Sequence, residues 1–175
     1  MGIYLNPNSE NFKRSISADI YVDKTMMLEE INRFIDKGNN YICVSRPRRF
    51  GKTIAGNMLS AYYSKGCDSK ELFVPFKISR TPGFEEKLNR YNVIKIDMNS
   101  EYQSIENKDM LLKTLTREIK RELRAFFTDV ELEEEEEDGE HRISFEDALI
   151  DFFFDGNKMT AVSWGVLVDE QGNII

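Results

Sequence analysis

The sequence has little cysteine, little histidine and no long apolar run. Its 175 residues include two cysteines and one histidine. Cys43 and Cys67 form no C-x-x-C pair and are too few for a disulfide framework. His141 alone excludes a histidine-based zinc site, and a histidine-dependent triad would need this one residue. No apolar run approaches the roughly 18 residues that span a bilayer. No secretory signal is visible either, so we expect no membrane partner and a cytoplasmic location.

The net negative charge comes from one segment. The chain carries 24 basic and 31 acidic residues, a formal charge of −7. Residues 128–140 contain nine of the acids and no base, so the remainder is close to neutral. Because like charges repel and this segment has almost nothing apolar to bury, it is predicted to be a disordered loop. The charge balance predicts no general attraction to nucleic acid.

The length suits one domain, or one domain with an appendage. A hydrophobic content of 41% and a charged content of 31% are typical of a globular chain. Residues 1–20 are polar and turn-rich, typical of an ordered arm or a loose leader. Apolar spacing predicts strands at residues 41–44, 93–98 and 166–168. It predicts helices at residues 52–64, 84–90, 106–127 and 144–154, and a further helix that ends before Gly38.

The strongest functional signal lies between the first predicted strand and the helix at 52–64. The segment reads Arg46, Pro47, Arg48, Arg49, Phe50, Gly51, Lys52 and Thr53. Its end matches the phosphate-loop pattern G-x-x-x-x-G-K-[ST], and Arg46 stands where the pattern has its first glycine. All eight residues are candidate ATP-binding residues. The alternative is a helix that happens to begin with Gly-Lys-Thr.

The chemistry of a phosphate loop accounts for these residue types. Backbone N–H groups at a helix start bind anions, and Gly51 allows the backbone to approach phosphate closely. Lys52 is the candidate catalytic cation for the β- and γ-phosphates, and the Thr53 hydroxyl is a candidate ligand of Mg²⁺. Arg48 and Arg49 are less specific, because solvated loop arginines are common.

A second acid is expected at the end of a hydrophobic strand. Residues 166–168 are followed by Asp169, a candidate Mg²⁺ ligand, and Glu170, a candidate catalytic base. Strands often end in acids, so a plain strand end with a turn at Gln171-Gly172 is the alternative. Asp97 is a rival for the metal on the strand at 93–98, although no glutamate follows it.

These residues resemble a family of predicted AAA-ATPase-like proteins of bacteria, which often carry a PD-(D/E)XK nuclease-like domain further downstream. The similarity lies in residues 6–9, 21–25 and 45–53, and continues to residue 73. The loop form with Arg46 is similar to that family's own.

The resemblance implies an α/β P-loop NTPase fold with a parallel sheet, Mg²⁺-ATP binding and, in the full architecture, hydrolysis. It also implies an N-terminal arm at 1–25 and a partial ATPase domain at 26–175, because further core strands would follow residue 175. We therefore expect an incomplete sheet and weak turnover.

Two other classes of function stay open. One is a non-hydrolysing module that binds nucleotide, a protein partner or a second copy. The other is a module that contacts nucleic acid through the loop arginines and a basic stripe on the helix at 106–127. Such binding would weaken steeply with salt.

Overall fold

The computed structural model describes residues 2–35, 42–45, 47, 49–104, 110–127, 132–137, 140–145, 148–152 and 163–168. In these ranges the helices are α1 (Glu10–Ile16), α2 (Met26–Asn32), α3 (Lys52–Tyr63), α4 (Lys70–Phe73), a 3-10 turn η1 (Lys77–Arg80), α5 (Phe84–Lys87), α6 (Met98–Ser104) and α7 (Leu111–Phe126). The strands are β1 (Asn92–Asp97), β2 (Leu132–Glu137), β3 (Glu140–Phe145), β4 (Ala148–Phe152) and β5 (Ser163–Val168).

The strands form two antiparallel sheets. β1 pairs with β5, with Asn92 opposite Val168 and Asp97 opposite Ser163. β2, β3 and β4 form a separate three-stranded sheet in sequence order. The expected mixture of helices and strands is therefore present, but the predicted parallel sheet is not found among the residues that the structure describes. An apolar pattern marks a segment as a strand and leaves its pairing direction open, because both orientations satisfy the backbone.

The first predicted strand is wrong over residues 42–44. Its backbone there is irregular and belongs to no ladder, and Tyr41 lies outside the described residues. Ile42 and Val44 are 45% and 46% exposed. A short β-branched run becomes a strand only when a neighbour accepts its hydrogen bonds, and no described strand pairs with this one.

The region after residue 127 also differs from the prediction. Residues 132–137, expected to be a disordered loop, form β2, and the segment predicted as a helix at 144–154 contributes to β3 and β4. The registers place Glu135 opposite Arg142 and Ile143 opposite Ile150. A short apolar run fits a strand as well as a helix, and here the cross-strand ladder decides between the two.

The helix predicted at 106–127 is confirmed as α7 over Leu111–Phe126. Residues 105–109 lie outside the described part of the chain, and α6 precedes them. Four α7 side chains at helical spacing are at most 2% exposed: Leu111, Leu115, Ile119 and Leu123. They pack against Ile94 and Ile96 of β1, so α7 covers one face of this strand.

The opposite face of β1 contacts a second apolar cluster built around α3. Met58, Tyr62 and Tyr63 of α3 are buried there with Val93 of β1. Phe12 of α1 is fully buried in the same cluster and stacks on Phe73, with ring centroids 5.0 Å apart. Strand β1 therefore lies between α3 and α7, as alternating side chains on a strand require.

The N-terminal arm is ordered and is bound to this core. The Glu122 carboxylate of α7 accepts hydrogen bonds from the backbone N–H groups of Ile3, Tyr4 and Leu5, at 2.7, 3.0 and 2.8 Å. The Asn6 side chain accepts from the Val93 N–H at 2.8 Å. Of the two sequence-based alternatives, an ordered arm is the one observed. The division of the chain at residue 25 stays a prediction.

Candidate functional site

The candidate phosphate loop leads directly into α3. Gly51 precedes the first helical residue, Lys52, and has the left-handed conformation φ 80°, ψ 25°. Its carbonyl accepts the first helical hydrogen bond, from Ala55 N–H at 2.9 Å. The first N–H groups of a helix have no acceptor within it, and they lie at the positive end of its dipole. The predicted helix at 52–64 is thus confirmed, and its start lies at Gly-Lys-Thr.

A hydrogen bond from Lys52 joins the two ends of the candidate loop. Lys52 Nζ donates to the Pro47 carbonyl oxygen at 3.1 Å, across five residues. Arg49 has a left-handed φ of 66° and Gly51 one of 80°. Pro47, Arg49, Phe50 and Thr53 are exposed. Arg46 and Arg48 lie outside the described residues.

A second lysine reaches the loop from the segment before α2. Lys24 Nζ donates to the Phe50 carbonyl oxygen at 3.0 Å. The sequence assigned no role to Lys24, because its distance from the loop along the chain hides the contact. The resemblance of residues 21–25 to the family was a signal that this segment matters, but it did not say how.

The far end of α3 is held by side chains from two later segments. Asn89 Nδ2 donates to the carbonyls of Ala61, Tyr62 and Ser64 at 3.0, 3.2 and 3.2 Å. Ser69 Oγ donates to Ala61 O at 2.6 Å. The last carbonyls of a helix need such partners, and here they fix the C-terminal end of α3. Because the helix is rigid, its N-terminal end is positioned as well.

The direction of β1 relative to α3 places an acid near the loop end of the helix. Tyr91 N–H, next to β1, donates to Tyr63 O at 3.0 Å, at the last residue of α3. Further along, the Lys95 ammonium donates to Asn57 Oδ1. The two elements therefore run in opposite directions, and the end of β1 lies towards the start of α3.

Asp97 lies on the α3 face of β1, at the end of the strand that is directed towards the start of α3. Thr53 is one helical turn before Asn57, about 6 Å along the axis. Asp97 is two residues after Lys95 on the same face of β1, about 6.6 Å along the strand. Asp97 is half-buried, and its Oδ1 accepts from Ser100 N–H at 3.3 Å. Burial lowers the pKa of Lys95, and the nearby Asp97 carboxylate acts in the opposite direction.

The strand that leads to Asp169 ends at the other end of the sheet. The antiparallel register puts Val168 opposite Asn92, beside the C-terminal end of α3. The 12-residue helix α3 separates that end from the loop, a length of about 18 Å. Asp169 and Glu170 themselves lie outside the described residues. The structure therefore places Gly51, Lys52 and Thr53 at the start of α3, and Asp97 at the end of β1 that is directed towards it.

The basic stripe predicted on α7 is partly neutralised. The Glu118 carboxylate forms ion pairs with the guanidinium groups of Arg117 at 3.1 Å and Arg121 at 2.7 Å. Within the described ranges, no three His, Cys, Asp or Glu side chains cluster as a metal site would require. None of the helices in those ranges has the length and apolarity needed to cross a membrane.

Comparison with protein families gives a match that covers most of the chain. A family model described as predicted AAA-ATPase matches residues 9–175. No curated protein and no solved structure matches the chain.

Proposed function

The chain belongs to this family of predicted AAA-ATPases, and we propose that its loop at residues 46–53 binds ATP together with Mg²⁺. The observation that carries the proposal is the junction at Gly51. A left-handed glycine there opens a 12-residue helix whose first residues are Lys52 and Thr53. This is the backbone geometry and the residue order that phosphate binding needs.

Each loop residue has a separate task in this proposal. The N–H groups at the start of α3 donate to phosphate oxygens, and the helix dipole favours the negative charge. Lys52, which donates to Pro47 O at 3.1 Å, exchanges this carbonyl for the β- and γ-phosphates. A phosphate oxygen is the better acceptor because it is charged. Arg46, Pro47, Arg48, Arg49 and Phe50 complete the binding loop.

The donor set at the loop fits Mg²⁺ bound to a nucleotide. Thr53 supplies a hydroxyl oxygen and Asp97 a carboxylate, and nucleotide phosphates and water supply the other oxygens that this cation prefers. When bound, Mg²⁺ neutralises charge on the phosphates. Asp97 is favoured over Asp169 because it lies on the α3 face of β1, towards the start of that helix. Asp169 stays a second candidate metal ligand.

The proposal extends from binding of ATP to its hydrolysis. Glu170 is the candidate base that takes a proton from the attacking water. Because phosphoryl transfer depends mainly on positioning and electrostatics, loss of this base should impair turnover more than binding. The alternative from the sequence, a module that binds nucleotide without turnover, shares the loop and differs only in this step.

Titration calorimetry with Mg²⁺-ATP tests the binding proposal. Lys52→Ala should weaken ATP binding by about 10–150-fold, since a hydrogen bond to a charged group is worth roughly 1.5–3 kcal/mol. Lys65→Ala is the matched control, because Lys65 is exposed and follows the opposite end of α3. Equal ATP affinities for the wild type and Lys52→Ala would show that the loop is not the nucleotide site.

The metal and catalytic assignments need separate measurements. A Mg²⁺ titration at fixed ATP should show weaker metal binding in Asp97→Asn than in Asp169→Asn, and the reverse order would reassign the ligand. Phosphate release should fall in Glu170→Gln while ATP affinity is kept. Wild-type protein that binds ATP and releases no phosphate would establish the non-hydrolysing alternative.

A further inference from the structure

A lysine outside the candidate ATP-binding segment contacts the peptide that precedes its glycine. Lys24 Nζ donates to the Phe50 carbonyl oxygen at 3.0 Å, although 26 residues separate the two in sequence. A Cβ atom added at Gly51 would lie 3.2 Å from the same Nζ. The ammonium therefore lies against the turn at Phe50-Gly51.

The backbone that carries Lys24 is fixed on both sides. Asp23 Oδ1 accepts from Thr25 N–H at 2.9 Å and from Thr25 Oγ1 at 2.7 Å. Asp23 Oδ2 accepts from Lys77 N–H of η1 at 3.1 Å. Thr25 is fully buried, and its Oγ1 accepts from Ile78 N–H at 3.3 Å. The residues before and after Lys24 are thus tied to η1, while its own side chain reaches the loop.

Because the peptide between Phe50 and Gly51 is trans, the hydrogen bond to the Phe50 carbonyl also fixes the direction of the Gly51 N–H group. The Phe50 carbonyl and the Gly51 N–H belong to one planar unit and point to opposite sides. When the Lys24 ammonium holds the carbonyl, the Gly51 N–H is directed away from Lys24. A phosphate loop uses such N–H groups as its phosphate donors, so their direction before binding determines how much reorganisation binding requires.

We propose that Lys24 is a positioning residue of the phosphate loop. Its ammonium holds the Phe50-Gly51 peptide in the orientation that binds phosphate, and it does so without touching the nucleotide. The expected effect on nucleotide affinity rests on the proposed function, whereas the hydrogen bond from Lys24 to Phe50 is present in the nucleotide-free protein. The Asp23-Thr25 network fixes the backbone on both sides of Lys24, and the hydrogen bond from its ammonium restrains the Phe50-Gly51 peptide.

Two measurements on Lys24→Met and Lys24→Arg test the proposal. The first is the NMR order parameter of the backbone amides at 49–54 without nucleotide, which reports whether the turn is restrained. Lys24→Met should lower it from about 0.85, typical of rigid backbone, to below about 0.6. The second is calorimetric affinity for ADP and ATP. Lys24→Met should weaken both by one common factor of about 3- to 10-fold, the loss expected for one net hydrogen bond. Lys24→Arg keeps a donor and should restore both readouts to near the wild-type values.

The control is Lys13→Met, which removes a lysine that is 61% exposed and pairs with Glu10; it should change neither readout. Unchanged order parameters of the loop in Lys24→Met would overturn the proposal. So would a loss of affinity confined to ATP, which would make Lys24 a direct ligand of the γ-phosphate. If Lys52→Ala also bound ATP normally, the proposed function would fail, but the order parameters without nucleotide would still decide whether Lys24 holds the loop.

Discussion

Replacing Gly51 with alanine separates the two constraints that the structure places on this position. The first constraint is conformational, because Gly51 has φ 80°, where an L-residue costs roughly 1–2 kcal/mol. The second is steric, because the new Cβ would lie 3.2 Å from Lys24 Nζ. The ammonium is the end of a flexible side chain and moves at small cost, so the conformational term dominates the loss of stability.

Gly66 provides a matched control for the conformational term. It has φ 83°, and a Cβ added there would meet nothing within 4 Å. Gly66→Ala and Gly51→Ala should therefore each lower the free energy of unfolding by about 1–2 kcal/mol. Gly83 is the negative control, because its φ is −90°, and Gly83→Ala should change stability by less than about 0.5 kcal/mol.

ATP affinity should distinguish Gly51→Ala from Gly66→Ala. Gly51→Ala disfavours the left-handed turn that orients the candidate phosphate-binding N–H groups, so its ATP affinity should fall, whereas Gly66→Ala should bind ATP as the wild type does. Urea denaturation gives the free energies of unfolding, and calorimetry gives the affinities. If Gly51→Ala unfolded like Gly83→Ala, the left-handed conformation of Gly51 would be refuted. If both left-handed variants lost stability and neither lost affinity, the phosphate-loop assignment would be refuted instead.

Two further predictions concern the N-terminal arm. Phe12→Ala should cost about 3–5 kcal/mol and lower the melting temperature by roughly 6–20 °C in scanning calorimetry, because Phe12 is fully buried against Phe73. Phe34→Ala, at a side chain 47% exposed, should cost much less; equal losses would contradict the packing of the arm. Burial raises the pKa of the Asp23 carboxyl, but hydrogen bonds, chiefly from Thr25, outweigh burial and hold it below its usual 3.8. The Asp23 carboxylate therefore stabilises the fold above pH 3.8, and this contribution is lost as the pH falls below that value. In urea denaturation, the free energies of unfolding of Asp23→Asn and wild type should converge in acid. A difference between them that stays constant with pH would count against the carboxylate.

The longer helices α3 and α7 were predictable because their signals are local. The apolar residues of α7 recur every three or four positions, and Leu111, Leu115, Ile119 and Leu123 form its buried stripe. The start of α3 at Lys52 followed from Gly-Lys-Thr, since a left-handed glycine needs no tertiary contact to be favourable. Hydrogen bonds of a helix join residues four apart, so a short window of sequence contains both partners.

The strands were predicted less well because their partners are distant. Residues 42–44 have strand-like composition but no described partner, whereas 148–152 is paired with β3 and is a strand. Which strands pair, and in which direction, depends on every other segment that competes for the same edge. The antiparallel pairing of β5 with β1 is such an outcome, and it makes Asp97 rather than Asp169 the favoured metal ligand in our proposal.

The chemistry of the candidate loop could be predicted from local sequence, because residue types at fixed spacing around Gly51 specify a helix start, a flexible cation and a hydroxyl. The surroundings of that loop depend on how distant segments pack. Lys24 reaches Phe50 across 26 residues, and the direction of β1 relative to α3 places Asp97 towards the start of that helix. Neither arrangement has a local signature, since each arises when separately formed elements pack on one apolar core.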